Sequence, residues 1–225
     1  MISLFVFLIG FFFITNWFQI LTILSAVFGG KVENRSIKDK WIYETIYKKT
    51  GLKLLDITIY KDKRMYGMMA GIPLWSKMIL SEGLYNNLNK DELEWVILHE
   101  AGHCVLWHNL KAAIYQLIFV VFGVCLIYTY NLNFIISLLL AVVFSLICIQ
   151  VIRRLIEYEA DKFSIVRVDN PKGVITAQEK FRKSKNKNLF SSEKSLGRFL
   201  LYWNIYPSKR IEMAKARLSS QQSSE

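Results

Sequence analysis

The stretch WVILHEAGHCVLWHN, residues 95–109, holds all three histidines of the 225-residue chain: His99, His103 and His108. The residues around it read as one helix. Asn89 is a capping residue, Glu92 follows three positions on as in a capping box, and Asp91 and Glu92 suit the positive end of a helix. No proline interrupts the segment, and Gly102 is its only weak helix former. Positions i and i+4 share a helix face, so His99 and His103 point the same way, with Glu100 beside His99. This is an HExxH pattern: two imidazoles for a zinc ion and a carboxylate that takes a proton from the attacking water. His108 lies five positions past the pair and close to an apolar block. It reads as an interfacial residue.

Two histidines do not complete a catalytic zinc site, which usually takes three protein ligands. With no histidine left, the third is Asp, Glu or Cys. In RRLIEYEADKFSI, residues 153–165, Glu157 and Asp161 are again four apart and share a face. Glu157 suits the ligand role. Asp161, one turn on, suits a carboxylate that orients a ligand histidine through its free ring N–H. Glu159 points elsewhere and reads as solvated.

Charge is distributed in blocks. Lys and Arg total 29 and Asp and Glu 18, yet residues 1–30 and 112–152 contain none of the four. About 20 apolar residues cross a bilayer core of roughly 30 Å. Residues 1–30 therefore read as one span; a cleaved signal peptide would show a basic start and a shorter apolar core. Residues 112–152 read as a hairpin of two spans turning at Asn131-Leu132-Asn133, with Tyr128 and Tyr130 at headgroup level. The basic residues all fall in 31–111 and 153–225. The positive-inside rule puts both segments in the cytoplasm and the Asn131 turn outside, an integral, multi-pass membrane protein.

The combination LNKDELEWVILHEAGH, a hydrophobic hairpin and then EYEAD resembles the integral-membrane zinc endopeptidases that include HtpX and the type I CAAX prenyl proteases. The resemblance covers roughly residues 40–217 and implies zinc on His99, His103 and Glu157, Glu100 as general base and Asp161 behind the ligands. Upstream, LLDITIYKDKRMYGMMAGIPLWSKMILSEGLYNNL resembles the family's β segment, with strands expected near Asp56–Tyr60, Met65–Ile72 and Met78–Leu80. The family uses an edge strand there to hold extended peptide. It also carries a C-terminal His-Pro followed by Arg-Ile that helps the oxyanion. Here the match is YPSKRI, with Tyr206 in place of the histidine and Arg210 two residues early, so these two are the candidates for oxyanion or substrate contact.

The expected architecture is an α+β zincin-like catalytic domain with three transmembrane helices. Residues 1–30 form the first span, 31–111 the first part of the protease domain with HExxH, 112–152 the hairpin, and 153–225 the second part with the third ligand. The tail SSQQSSE reads as disordered. Cys104, Cys125 and Cys148 are an odd set and indicate no disulfide framework. KFRKSKNK, residues 180–187, is a solvated loop or a contact for anionic lipid, and no nucleic-acid motif accompanies it. The function expected is zinc-dependent endopeptidase action on peptide or membrane-protein substrates near the cytoplasmic membrane face, as in membrane-protein quality control. Two other readings stand beside it: a non-proteolytic sensor or scaffold on a zincin fold, and a site-2-type intramembrane protease. Oligomeric state is left open.

Overall fold

The structure is a computed structural model that describes residues 2, 4–15, 34–184 and 207–222. The chain divides into two units. One comprises Met1–Lys31 and Asn109–Leu155, the other Val32–His108 and Ile156–Glu225.

The second unit holds the sheet. Its strands are β1 (Asn34–Ile37), β2 (Leu54–Tyr60), β3 (Gly67–Ile72) and β4 (Trp75–Ser81), in the order β1-β2-β4-β3. β2 and β4 run parallel, while β1 on β2 and β3 on β4 are antiparallel. The last three match the expected strands closely. β1 was not foreseen. The β3–β4 turn depends on Gly71, at φ +100°, where a Cβ would fall on the Trp75 carbonyl. Among the described residues β3 pairs on one side only and forms an edge.

Helix α2 (Lys40–Thr50) starts at Asp39, whose carboxylate accepts from the Ile42 N–H, and ends at the left-handed Gly51. Helix α3 (Glu82–Asn87) follows the sheet, and then comes α4 (Lys90–Val105). The capping box of α4 is formed: Asn89 accepts from the Glu92 N–H at 3.0 Å, and Glu92 accepts from the Asn89 N–H at 2.8 Å. Helices α7 (Lys172–Ser184) and α8 (Pro207–Gln222) complete this unit. α4 packs on α2, α7 and β3, and α7 packs on α8. Alternate residues of β2 and β4, Ile57 with Ile59 and Met78 with Leu80, enter one core with Ile42, Ile46, Ile97 and Leu98. Burying each such aliphatic side chain is worth about 1.5–3 kcal/mol. The helix bearing the histidines is thus fixed by its own apolar residues.

α8 runs through Gln222, which corrects the reading of SSQQSSE as disordered: its first four residues are helical. The helix opens on Pro207, a favoured first helical residue. On the preceding turn the Arg217 guanidinium donates to the Ile165 carbonyl, anchoring the helix that Ser219–Gln222 extend.

The first unit contains α1 (Leu4–Thr15), all of α5 (His108–Thr129) after its first residue, and the start of α6 (Phe134–Arg167). α5 and α6 are long and apolar enough to cross a membrane, and only 11% and 33% of their apolar windows are buried. A core helix of a soluble protein would be mostly covered. Asn131 sits between them at φ +47°, a conformation asparagine tolerates. Gly123 has no Cβ to clash with the Phe7 ring, and Gly10 faces Ala141, so small residues let α1 lie close to the hairpin. Of residues 1–30, 16–30 lie outside the described residues, so the expected first span is only partly described. At its helical rise α6 is about 50 Å long, more than one span requires. From Ile156 onward it belongs to the unit with the sheet.

Candidate metal centre

The centre is assembled from α4 and the last turns of α6. Gly102 makes the approach close: a Cβ there would come within 3.0 Å of the Phe163 ring and 3.6 Å of the Ala160 Cα. The glycine that weakens the helix on paper is what lets Glu157 and Asp161 reach the histidines.

His99 Nε2 and His103 Nε2 face each other at 3.2 Å. Glu157 closes the triangle with both carboxylate oxygens, Oε2 3.5 Å from His99 Nε2 and Oε1 3.6 Å from His103 Nε2. Among the described residues these three form the group of His, Cys, Asp and Glu that could hold a metal ion. The geometry fits zinc. Tetrahedral coordination with Zn–N near 2.0–2.1 Å separates neighbouring donors by about 3.3 Å, close to the observed edges. The donor set of two imidazoles and one carboxylate is likewise a catalytic zinc set.

Behind the triangle lies Asp161, with no exposed surface. Its Oδ1 is 2.9 Å from His99 Nδ1, at an angle outside hydrogen-bond geometry, and its Oδ2 accepts from Arg210 Nε at 2.6 Å. Arg210 Nη2 also donates to Glu157 at 3.2 Å. Arg210 therefore enters the site by gripping both acids. Tyr206, the other oxyanion candidate, lies outside the described residues.

His108 is not an interfacial residue. It is 1% exposed, with Nδ1 2.9 Å from His103 Nδ1 and Nε2 3.2 Å from Glu159 Oε2. Glu159 is correspondingly not merely solvated. The cause is a break in the helix: α4 ends at Val105, and Trp107 takes a left-handed φ of +55° before α5 begins at His108. The chain doubles back and brings the third ring to the second.

Glu100 is backed by the edge strand. The Met69 backbone N–H donates to its carboxylate, and Gly67 leaves room beside its Cγ. Burial raises the Glu100 carboxyl to about 7. Burial also works against charge on His99, but the Asp161 and Glu157 carboxylates outweigh it and hold the imidazolium to about 10. Burial and the neighbouring His99 charge push His103 down to about 3. Glu157 stays ionised, held near 2 by His99, His103 and Arg210 against its own burial. The acids thus favour positive charge where three donors converge, which a divalent cation would supply.

Residues 33–199 match the sequence pattern of peptidase family M48. A protease HtpX homolog of Bacteroides fragilis strain YCH46 is 32% identical over 112 residues, covering 48% of this chain and 34% of that protein. The protease HtpX homolog of another strain of the species is 31% identical over 112 residues, with the same coverage. The match spans about a third of the length of these curated relatives. In fold, the chain resembles the crystal structure of S. mikatae Ste24p, with a TM-score of 0.62 at 18% identity, over 91% of this chain and 58% of that one.

Proposed function

The chain belongs to peptidase family M48, and from that membership we propose that it is a membrane-bound, zinc-dependent endopeptidase. The observation that carries the reading is the triangle of His99, His103 and Glu157, with edges of 3.2 to 3.6 Å, beside the buried carboxyl of Glu100. Zinc held there supplies a Lewis acid that polarises the scissile carbonyl and lowers the pKa of water. Glu100 takes a proton from the attacking water and returns it to the leaving amine. Its burial favours the neutral carboxyl, which suits a group that must hold the proton between the two transfers. Asp161 and Arg210 hold His99 and Glu157 in place. The outer edge of strand β3, apart from the Met69 N–H that meets Glu100, is available to an extended substrate strand, a β-augmentation that would lay the peptide beside Glu100.

The proposed topology has three spans, with the residue 1–30 block as the first and both basic segments in the cytoplasm. It is supported by the distribution of Lys and Arg and by the exposed, uncharged stretches of α5 and α6 within residues 112–152. Substrates are then peptide segments near the cytoplasmic membrane face, including those of damaged membrane proteins. The test is cleavage of membrane-protein peptides by the purified full chain, before and after chelation and after zinc is restored. The account expects activity that chelation removes and zinc returns. Zinc binding without cleavage would favour the scaffold reading instead.

A further inference from the structure

We propose that His108 and Glu159 form a hydrogen-bonded chain that fixes the tautomer and orientation of His103, and that they are positioning residues for the metal. The inference rests on reading the triangle as a zinc site.

Proton counting carries it. His103 can give Nε2 to a metal only if its ring proton sits on Nδ1. That atom faces His108 Nδ1 at 2.9 Å, so His108 Nδ1 must be the bare acceptor. The proton of neutral His108 is then on Nε2, and the atom facing it at 3.2 Å is a carboxylate oxygen of Glu159, an acceptor only. Glu159 thus selects the His108 tautomer, which selects the His103 tautomer, which frees Nε2 toward His99 and Glu157. The opposite arrangement would put the His103 proton on Nε2, the atom a metal needs, and leave Glu159 without a donor from His108. The rings suit the transfer: their centroids are 4.9 Å apart and their planes cross at 74°, so one meets the other edge-on. Packing holds His108 there, since it is 1% exposed.

The two ligand histidines are therefore supported differently. His99 faces Asp161 directly, while His103 reaches its acid through a second imidazole. Such outer partners typically change metal affinity by about 10–100-fold when lost.

The experiment is zinc affinity of the full-length protein in detergent, by competition with a chelator. Thermal unfolding in excess chelator and peptide cleavage are recorded alongside. His108→Leu removes the acceptor and should weaken zinc by about 10–100-fold. His108→Asn places an amide oxygen near the Nδ1 position and should recover most of that loss, which a purely structural role for the ring would not predict. Glu159→Gln, at a side chain 40% exposed, keeps its shape and should weaken zinc by about threefold or more. It decides the matter if His108→Leu does not fold. Wild-type affinity in Glu159→Gln together with wild-type affinity in whichever His108 variants fold overturns the chain while leaving the metal site standing. Failure of the unaltered protein to bind zinc overturns both. Zinc binding without cleavage removes only the endopeptidase reading, and the affinities still decide this one.

Discussion

Asp161 has no exposed surface and still carries two obligations, His99 on one oxygen and Arg210 on the other. A carboxylate so placed is proposed to orient a ligand ring without touching the metal. Asp161→Ala should lower zinc affinity by about 10–100-fold without abolishing binding, read by chelator competition. Unchanged affinity would remove Asp161 from the site. The spacing that brings His99, Glu100 and His103 together was legible because four residues make one helical turn and no long-range information is needed. Glu157 and Asp161 were legible for the same reason. His108 was not. On an unbroken helix five positions turn it away from His103, and no glycine or proline marks the break at Trp107. Arg210 was visible as a basic residue, but its grip on two acids depends on a tertiary fold that brings together segments 49 and 53 residues apart.

Helices α4 and α6 meet through Gly102, and the metal triangle depends on how closely they do so. Gly102→Val would press a branched side chain on Phe163 and Ala160. Overpacking of this kind costs about 1–3 kcal/mol, so the variant should unfold at lower temperature, and its zinc affinity should fall as the acids retreat. Normal unfolding and normal affinity would show that the contact is slack. At the other end of α4, Glu92 closes the capping box and accepts from Lys180 of α7 at 2.6 Å. Burial alone would raise its carboxyl, but Lys180 and the Asn89 N–H hold it below its ordinary 4.5. A depressed folded value means that Glu92 adds stability above about pH 4.5 and that this is lost as the pH falls through the folded value. Denaturation followed from pH 6 downward should show stability falling, and Glu92→Gln should flatten the slope. An identical slope in the variant would place the acid sensitivity elsewhere. Three strands were expected from the resemblance of residues 54–88 to the family's β segment. β1, with sequence NRSI, has one apolar residue and owes its existence to pairing with β2, which no local pattern announces. The helical end of α8 was hidden in the same way, since SSQQ has nothing to bury and simply extends a helix begun and anchored earlier.

Along the sequence, charge separates cleanly from apolar stretches, and the proposed arrangement in a bilayer rests on this. A reporter fused after Glu225 or a tag near Lys90 should be cytoplasmic, and a tag at Asn131 should be accessible only from outside. Cytoplasmic labelling at Asn131 would overturn the topology. The proposal rests on residues 1–30 and 112–152, because the absence of charge over such lengths is a global signal. How one α6 helix serves both the apolar unit and the metal site could not be read, because sequence marks the change in polarity at Arg153 but not the continuity of the helix through it. The central claim is that this metal site hydrolyses peptide bonds with Glu100 as its base, and the most direct measurement is Glu100→Gln in the full-length protein, with bound zinc determined by atomic emission beside a fluorogenic peptide assay. Bound zinc should stay at about one per chain, as in the unaltered protein, with cleavage lower by about 10²–10⁴-fold. Cleavage at the unaltered rate with zinc in place would contradict the claim.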